Sequence, residues 1–290
     1  MTVTASYGVI VLGTVLWDAG AILQKQAIEK LGSGRLRVVR LLGSPRWMLG
    51  LAANAVGWGL FVLGLDSVPV SVARTVTGGS YVVLALFSTV FLRTPLKLPE
   101  WLALICVTAG IVILGAQGQA GRVTADTLLP SVIRLGLGLG AIIVVCGSTL
   151  LATRGAGSII AFAATSGLLS GAGDLMVKLI TILAREEARP LAGVGVALAA
   201  LSGVGMVLFY VTGIYMLSRA YQVGTVVAGM VISDFFARVA AIFLGAVCLS
   251  EPLVAAGRAG PLYAVGFLMV LGGSLLLGRF SSRPVRIASS

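Results

Sequence analysis

The sequence predicts an all-α polytopic membrane protein: about nine transmembrane helices in an inverted 4+1+4 repeat, N-terminus outside and C-terminus inside. Three observations predict it. The first is composition. Of 290 residues, 58% are hydrophobic and only 11% are charged, and mean hydropathy is +1.06. Soluble domains carry about 25% charged residues, so this chain cannot cover a water-facing surface. The second is that nine apolar segments reach the roughly 20 residues needed to cross a bilayer. The third is that the segments repeat in order around one connecting helix.

The nine segments are 5–30, 45–65, 69–92, 98–117, 129–152, 157–183, 190–217, 223–249 and 259–279. The first contains the small-residue stretch Ala19-Gly20-Ala21, but no positive charge precedes it and Asp18 interrupts it. It therefore reads as a spanning helix and not as a signal peptide. The connections are short, the longest near 31–44, and none holds a soluble domain. The chain 1–290 is thus one transmembrane domain: repeat one about 5–117, linking helix about 129–152, repeat two about 157–279. The 39 glycines lie among Leu, Val, Ile and Ala, which suits close helix contacts and not disorder. Gly136-x-x-x-Gly140 and Gly167-x-x-x-Gly171 read as two such seams.

Orientation follows from the basic residues. With the N-terminus outside, the inner segments carry Lys30, Arg35, Arg37, Arg40, Arg46, Arg93, Lys97, Arg154, Arg219, Arg279, Arg283 and Arg286. The outer segments carry Arg122, Arg185, Arg189 and Arg258, with Arg134 near an outer end. Twelve against four follows the positive-inside rule. Most of the net charge of +11 is therefore topology and not a nucleic-acid footprint.

Three short matches define the repeat. Ala19-Gly20-x-x-Leu23-x-Lys25 pairs with Ala172-Gly173-x-x-Met176-x-Lys178. Phe91-Leu92-Arg93-Thr94-Pro95-Leu96 pairs with Cys248-Leu249-Ser250-Glu251-Pro252-Leu253. Gly110 to Gly115 pairs with Gly273 to Gly278. Four helices around one odd helix place the copies in opposite orientations. Inverted repeats of this kind build secondary transporters, with the solute near the midplane.

Seven charged residues lie inside the spans: Asp18, Lys25, Arg74, Asp174, Lys178, Asp234 and Arg238. A charge at the bilayer centre costs about 2.5–3.5 kcal/mol on insertion scales, so such groups face the bundle interior or pair. Asp174 with Lys178, and Asp234 with Arg238, are one helical turn apart and share a face. Asp18 and Lys25 are two turns apart and face the same way. Lys25, Arg74, Lys178 and Arg238, with Asn54, are candidate solute contacts. Asp18, Asp174 and Asp234 are candidate sites for coupling to protons or ions, or for the metal if the solute is Mg²⁺. After Arg74, the run Thr75, Thr77, Gly78, Gly79 and Ser80 suits locally unwound helix.

Absences limit the chemistry. The chain has no histidine, and Cys106, Cys146 and Cys248 lie in apolar runs without disulfide or zinc spacing. No Walker, Gly-x-Ser-x-Gly or His-Glu-x-x-His pattern is present. Neither an enzyme nor a cofactor is expected.

The chain resembles the drug/metabolite transporter (EamA-like) superfamily and, within it, the NIPA-like magnesium transporters, over about 5–280. The resemblance is carried by Trp47-x-x-Gly50-Leu51 with Asn54 and Gly57-Trp58. Further matches are Ser158-x-x-x-Phe162, Gly171-x-x-Asp174-x-x-x-Lys178, Leu217-Ser218-Arg219-Ala220-Tyr221 and Glu251. It implies nine helices, a gated transporter and no cofactor. The chain departs from that branch at Thr75 and Val231, where the branch has prolines, and at Arg74 and Arg238, which add positive charge. Mg²⁺ prefers carboxylates and water, and four bases stand here against three acids.

The expectation is therefore a secondary transporter of a small polar metabolite, anionic or zwitterionic, working by alternating access without ATP in the plasma membrane. The alternatives are a NIPA-like Mg²⁺ transporter, and a non-transporting subunit or lipid-head-group binder that uses the basic 30–46 connection. The expected partners are the solute and the lipid bilayer, with no nucleic acid; a homodimer is left open.

Overall fold

The structure, a computed structural model, describes residues 3–31, 38–64, 70–92, 96–116, 131–152, 158–184, 192–249 and 260–281. All regular structure among them is helical. Ten helices follow in order: α1 Val3–Leu31, α2 Val38–Leu42, α3 Pro45–Gly64, α4 Val70–Phe91, α5 Leu98–Ala116, α6 Ser131–Ala152, α7 Ile159–Ala184, α8 Ala192–Val223, α9 Val226–Leu249 and α10 Gly260–Ser281. Apart from α2, the shortest is α5 at 19 residues and the longest is α8 at 32. At 1.5 Å per residue, 19 residues come to about 28 Å, close to the hydrocarbon thickness of a bilayer. Stretches of three helices, Ser6–Leu31, Ile159–Val177 and Gly195–Val223, are long and apolar enough to cross a membrane by length and composition.

Local chemistry sets several helix starts. Ser44 precedes Pro45, the first residue of α3, and its hydroxyl accepts from Trp47 N at 3.5 Å, an N-cap followed by proline at N1. Glu100, inside the first turn of α5, accepts from Lys97 N at 2.6 Å, the back-bond of a capping box. Thr225 caps α9 by accepting from Ala228 N at 3.3 Å.

The chain divides into two compact units. The first is Met1–Gln119, Ser218–Val231 and Gly257–Ser290; the second is Ala120–Leu217 and Ile232–Ala256. In the first unit, α1 packs on α3 and α4, α4 on α5, and α5 on α10. In the second, α6 packs on α7, and Ile142, Cys146, Leu169, Leu175, Met176, Leu244 and Cys248 form the core.

Glycine lets the paired helices touch backbone to backbone. A Cβ on Gly13 would lie 2.6 Å from the Gly57 carbonyl, and one on Gly20 would lie 2.6 Å from the Gly50 carbonyl. The rising numbers in α1 meet falling numbers in α3, so the seam is antiparallel. Helices α5 and α10 form a second seam. A Cβ on Gly110 would lie 2.6 Å from the Gly266 carbonyl, and one on Gly273 would lie 2.8 Å from the Ala103 carbonyl. Between these contacts, Cys106 Sγ donates to Met269 O at 3.5 Å. Gly110 and Gly273 are the residues the sequence matches pair, so each helix presents corresponding positions to the other.

In the second unit, glycines also bring α7 close to α8. Gly173, the match of Gly20, faces the Tyr210 ring where Gly20 faces Asn54. Gly213 faces the Ser166 carbonyl where Gly57 faces that of Gly13.

Four expectations change. The 31–44 connection contains the short helix α2, because Leu41 finds a buried seat. Helix α8 runs on from Leu217 to Val223, because the polar run Ser218-Arg219-Ala220-Tyr221-Gln222 is buried in protein; its buried Ser218, Tyr221 and Gln222 need no apolar pattern. The run from Thr75 to Ser80 is continuous helix within α4 and not unwound. Gly136 and Gly140 form no seam among the described residues, since a Cβ on either meets nothing within 4 Å. Gly138, on the other side of α6, is the close contact, with Leu244 at 3.0 Å and Cys248 Sγ at 3.1 Å.

This contrast is testable. Gly50→Ala places a methyl against backbone that cannot yield, so it is expected to cost about 1–3 kcal/mol. Gly136→Ala is expected to leave stability unchanged or raise it by up to about 1 kcal/mol through helix propensity. Thermal unfolding of the purified protein in detergent separates the two.

Candidate functional site

Each unit holds a polar cluster, buried in the first and partly buried in the second. In the first, Asp18 and Lys25 on α1 are 2% and 5% exposed. They share a face, and what they face is Tyr221 near the end of α8. Lys25 Nζ donates to the Tyr221 carbonyl and, at 3.0 Å, to the Gly224 carbonyl. It also pairs with Glu29 at 3.3 Å. An ammonium has three donors, and three acceptors surround this one. The carbonyls lie where α8 ends and α9 begins two residues later, so they lack the usual partners of a helix interior. A cation at a helix C-terminus also complements its dipole.

The α8–α9 junction is held from other sides too. Gly224 N donates to Ala220 O at 3.0 Å. Trp47 Nε1 donates to Ser218 Oγ at 3.3 Å. The Tyr221 ring packs against Gly229, where a Cβ would lie 3.0 Å from ring carbons. Asp18 is within electrostatic range of the Tyr221 hydroxyl.

Asn54 of α3 is half-buried, with its side-chain oxygen against Gly20. One turn along, Gln24 is 2% exposed. Neither Gln24 Nε2 nor Asn54 Oδ1 has a hydrogen-bond partner among the described residues. Buried amides without partners are costly and mark positions where a polar contact is missing.

In the second unit, Tyr210 of α8 donates its hydroxyl to Asp174 Oδ1 at 2.6 Å. Gly173 makes this possible, since a Cβ there would lie 3.1 Å from the ring. Ser166, Ser170 and Asp174 recur every four residues and form one polar stripe on α7. Ser233 donates to Ser166 Oγ at 3.2 Å. Arg238 Nε donates to Asp234 Oδ2 at 2.8 Å, with the side chains 20% and 29% exposed. This is the expected one-turn pair. The side chains of Arg74 and Lys178 lie outside the described residues, as does all of Glu251.

Comparison with known proteins decides the family. Residues 46–116 match the EamA-like transporter family. A "Probable 4-amino-4-deoxy-L-arabinose-phosphoundecaprenol flippase subunit ArnE" from Pseudomonas fluorescens is 32% identical over 114 residues, 39% of this chain and 98% of that protein. Its counterpart from Escherichia coli O81 is 32% identical over 109 residues, 37% of this chain and 94% of the relative.

The chain belongs to the EamA-like transporter family.

This family lies within the drug/metabolite transporter superfamily. A further relative, "Probable magnesium transporter NIPA9" from Arabidopsis thaliana, is 30% identical over 105 residues, 35% of this chain but 30% of that protein. No solved structure matches. Membership and the apolar helices together make this EamA-like chain an integral membrane protein. The relatives named above are described as a flippase subunit and a magnesium transporter.

Sequence reasoning alone does not single out Gln24, Glu29 or Tyr210 in this EamA-like chain, and it names Tyr221 only as the end of a matched motif. Glu29 was visible as an i,i+4 partner of Lys25. Tyr210 and Tyr221 had no such signal, because their partners come from other helices.

Tyr210→Phe and Asp174→Asn are expected to be coupled by about 0.6–2 kcal/mol in a double-mutant cycle on unfolding. Lys25→Met is expected to cost about 1–3 kcal/mol by leaving buried carbonyls unpaired, measured as a lower thermal midpoint.

Proposed function

We propose that this protein is a secondary transporter that moves a small zwitterionic metabolite or head group by alternating access, without ATP. It does so in the plasma membrane, as nine spans in an inverted 4+1+4 repeat with the N-terminus outside. The carrying observation is the pairing of charge inside apolar helices. Lys25 is surrounded by protein acceptors and Arg238 closes a pair with Asp234. Lys25 is thereby removed from the excess of bases that favoured an anion, while the Asp234–Arg238 pair takes out one charge of each sign. By sequence count that leaves two bases and two acids of the seven charged residues within the spans, a balance that suits a solute carrying both signs.

Three observations support the architecture. The α5–α10 seam is antiparallel and brings corresponding positions of two matched sequences together. An antiparallel pair of equivalent helices is what opposite repeat orientations require. Gly20 and Gly173, a matched pair, each take a side chain from a facing helix, Asn54 and Tyr210. A relative covered almost entirely by two fifths of this chain fits a chain built from two such lengths.

The name of that relative carries an amino sugar and a phosphate, which is the same charge pattern. In this reading Asp174, held by Tyr210, contacts the solute or the coupling ion. The NIPA9 match keeps Mg²⁺ as a second reading, with Asp18, Asp174 and Asp234 as its carboxylates.

Counterflow in proteoliposomes tests both. Saturable exchange of a zwitterionic solute, lost in Asp174→Asn and kept in Gly136→Ala, is the expected result. Mg²⁺ entry into sealed vesicles, with no organic solute exchanged, would replace the first reading by the second.

A further inference from the structure

We infer that α2 is an in-plane foot that binds anionic phospholipid at the membrane surface. This stands apart from any reading of the solute. Helix α2 has two apolar sides. Leu41 is 2% exposed and seats the helix on its neighbours α1 and α3. Val39 and Leu42, three residues apart and on the opposite side, are 80% and 54% exposed. Gly43 N and Ser44 N donate back to Val39 O and Leu41 O, both at 3.0 Å, so the foot is closed onto the start of α3.

Exposed basic residues flank this apolar pair in the sequence. Arg40 lies within α2, Arg46 follows at the start of α3, and Lys30 ends α1; all three are exposed. The acid of this stretch, Glu29, is engaged by Lys25. An exposed apolar pair edged by cations matches the boundary between acyl chains and anionic head groups. Spanning helices explain neither feature, since α2 is five residues long and lies between α1 and α3. On the expected orientation this connection faces the cytoplasmic leaflet, whose surface is negative.

The test uses the purified full chain in detergent, titrated with phosphatidylglycerol, phosphatidylcholine or inorganic phosphate. Phosphatidylglycerol is expected to raise the thermal midpoint at lower concentration than phosphatidylcholine, and phosphate to have no effect. Arg40→Gln and Arg46→Gln should each weaken the phosphatidylglycerol response about fivefold. About 0.5 M NaCl should abolish the preference by screening. A nitroxide at Val39→Cys, in a chain with the three native cysteines replaced by alanine, should collide with oxygen more than with a water-soluble nickel chelate. Equal responses to the two lipids, an unchanged preference in the double arginine variant, a response to phosphate that matches the lipid, or a water-exposed nitroxide would each overturn the inference.

Discussion

The central constraint is that polar groups away from water must be satisfied by the protein itself. The α8–α9 junction shows how strict this is. Two long helices meet across only Gly224 and Thr225, and the carbonyls of Tyr221 and Gly224 are buried there away from water. Lys25 supplies donors from α1, the other end of the chain in sequence. The same interaction solves the lysine's own problem, since a buried ammonium needs acceptors as much as the carbonyls need donors. Trp47 on Ser218 and Thr225 on Ala228 complete the joint.

For Lys25 to hold this junction while α1 packs on α3, the α1–α3 interface must be thin. Gly13, Gly20, Gly50 and Gly57 make it so, because any side chain at these positions would strike backbone. In lipid, helix association rests on such close packing and not on hydrophobic exclusion. The second unit uses the same device for a different end. There Gly173 admits the ring of Tyr210, and that ring's hydroxyl reaches Asp174. One sequence pattern thus positions an amide in one unit and a phenol against a carboxylate in the other.

Much of the fold was legible because its signals are local. Apolar length gave helices close to the expected bounds, and the i,i+4 spacing of Asp234 and Arg238 gave their ion pair. The errors share one cause. Polarity predicts that α8 ends at Leu217, whereas buried Ser218, Tyr221 and Gln222 belong inside a protein interior. The run after Arg74 was expected to unwind because it is polar and glycine-rich, yet its backbone bonds remain in α4. Gly136 and Gly140 were placed in a seam by their spacing alone, and spacing does not say which face of α6 meets a neighbour.

By itself, the sequence determined that this is a helical membrane protein, which segments are apolar, which charges lie among them and which short stretches match one another. These follow from composition and short-range spacing, where the physics of a single helix suffices. Only the tertiary structure decided what each buried charge does. Lys25 serves helix-end carbonyls, Arg238 serves Asp234, and Asp174 takes a hydroxyl from Tyr210. Lys25 and Asp174 find partners about 199 and 36 positions along the chain, and such pairings depend on which helices touch. That is fixed by glycine contacts between backbones, a property of pairs of helices that no single segment carries.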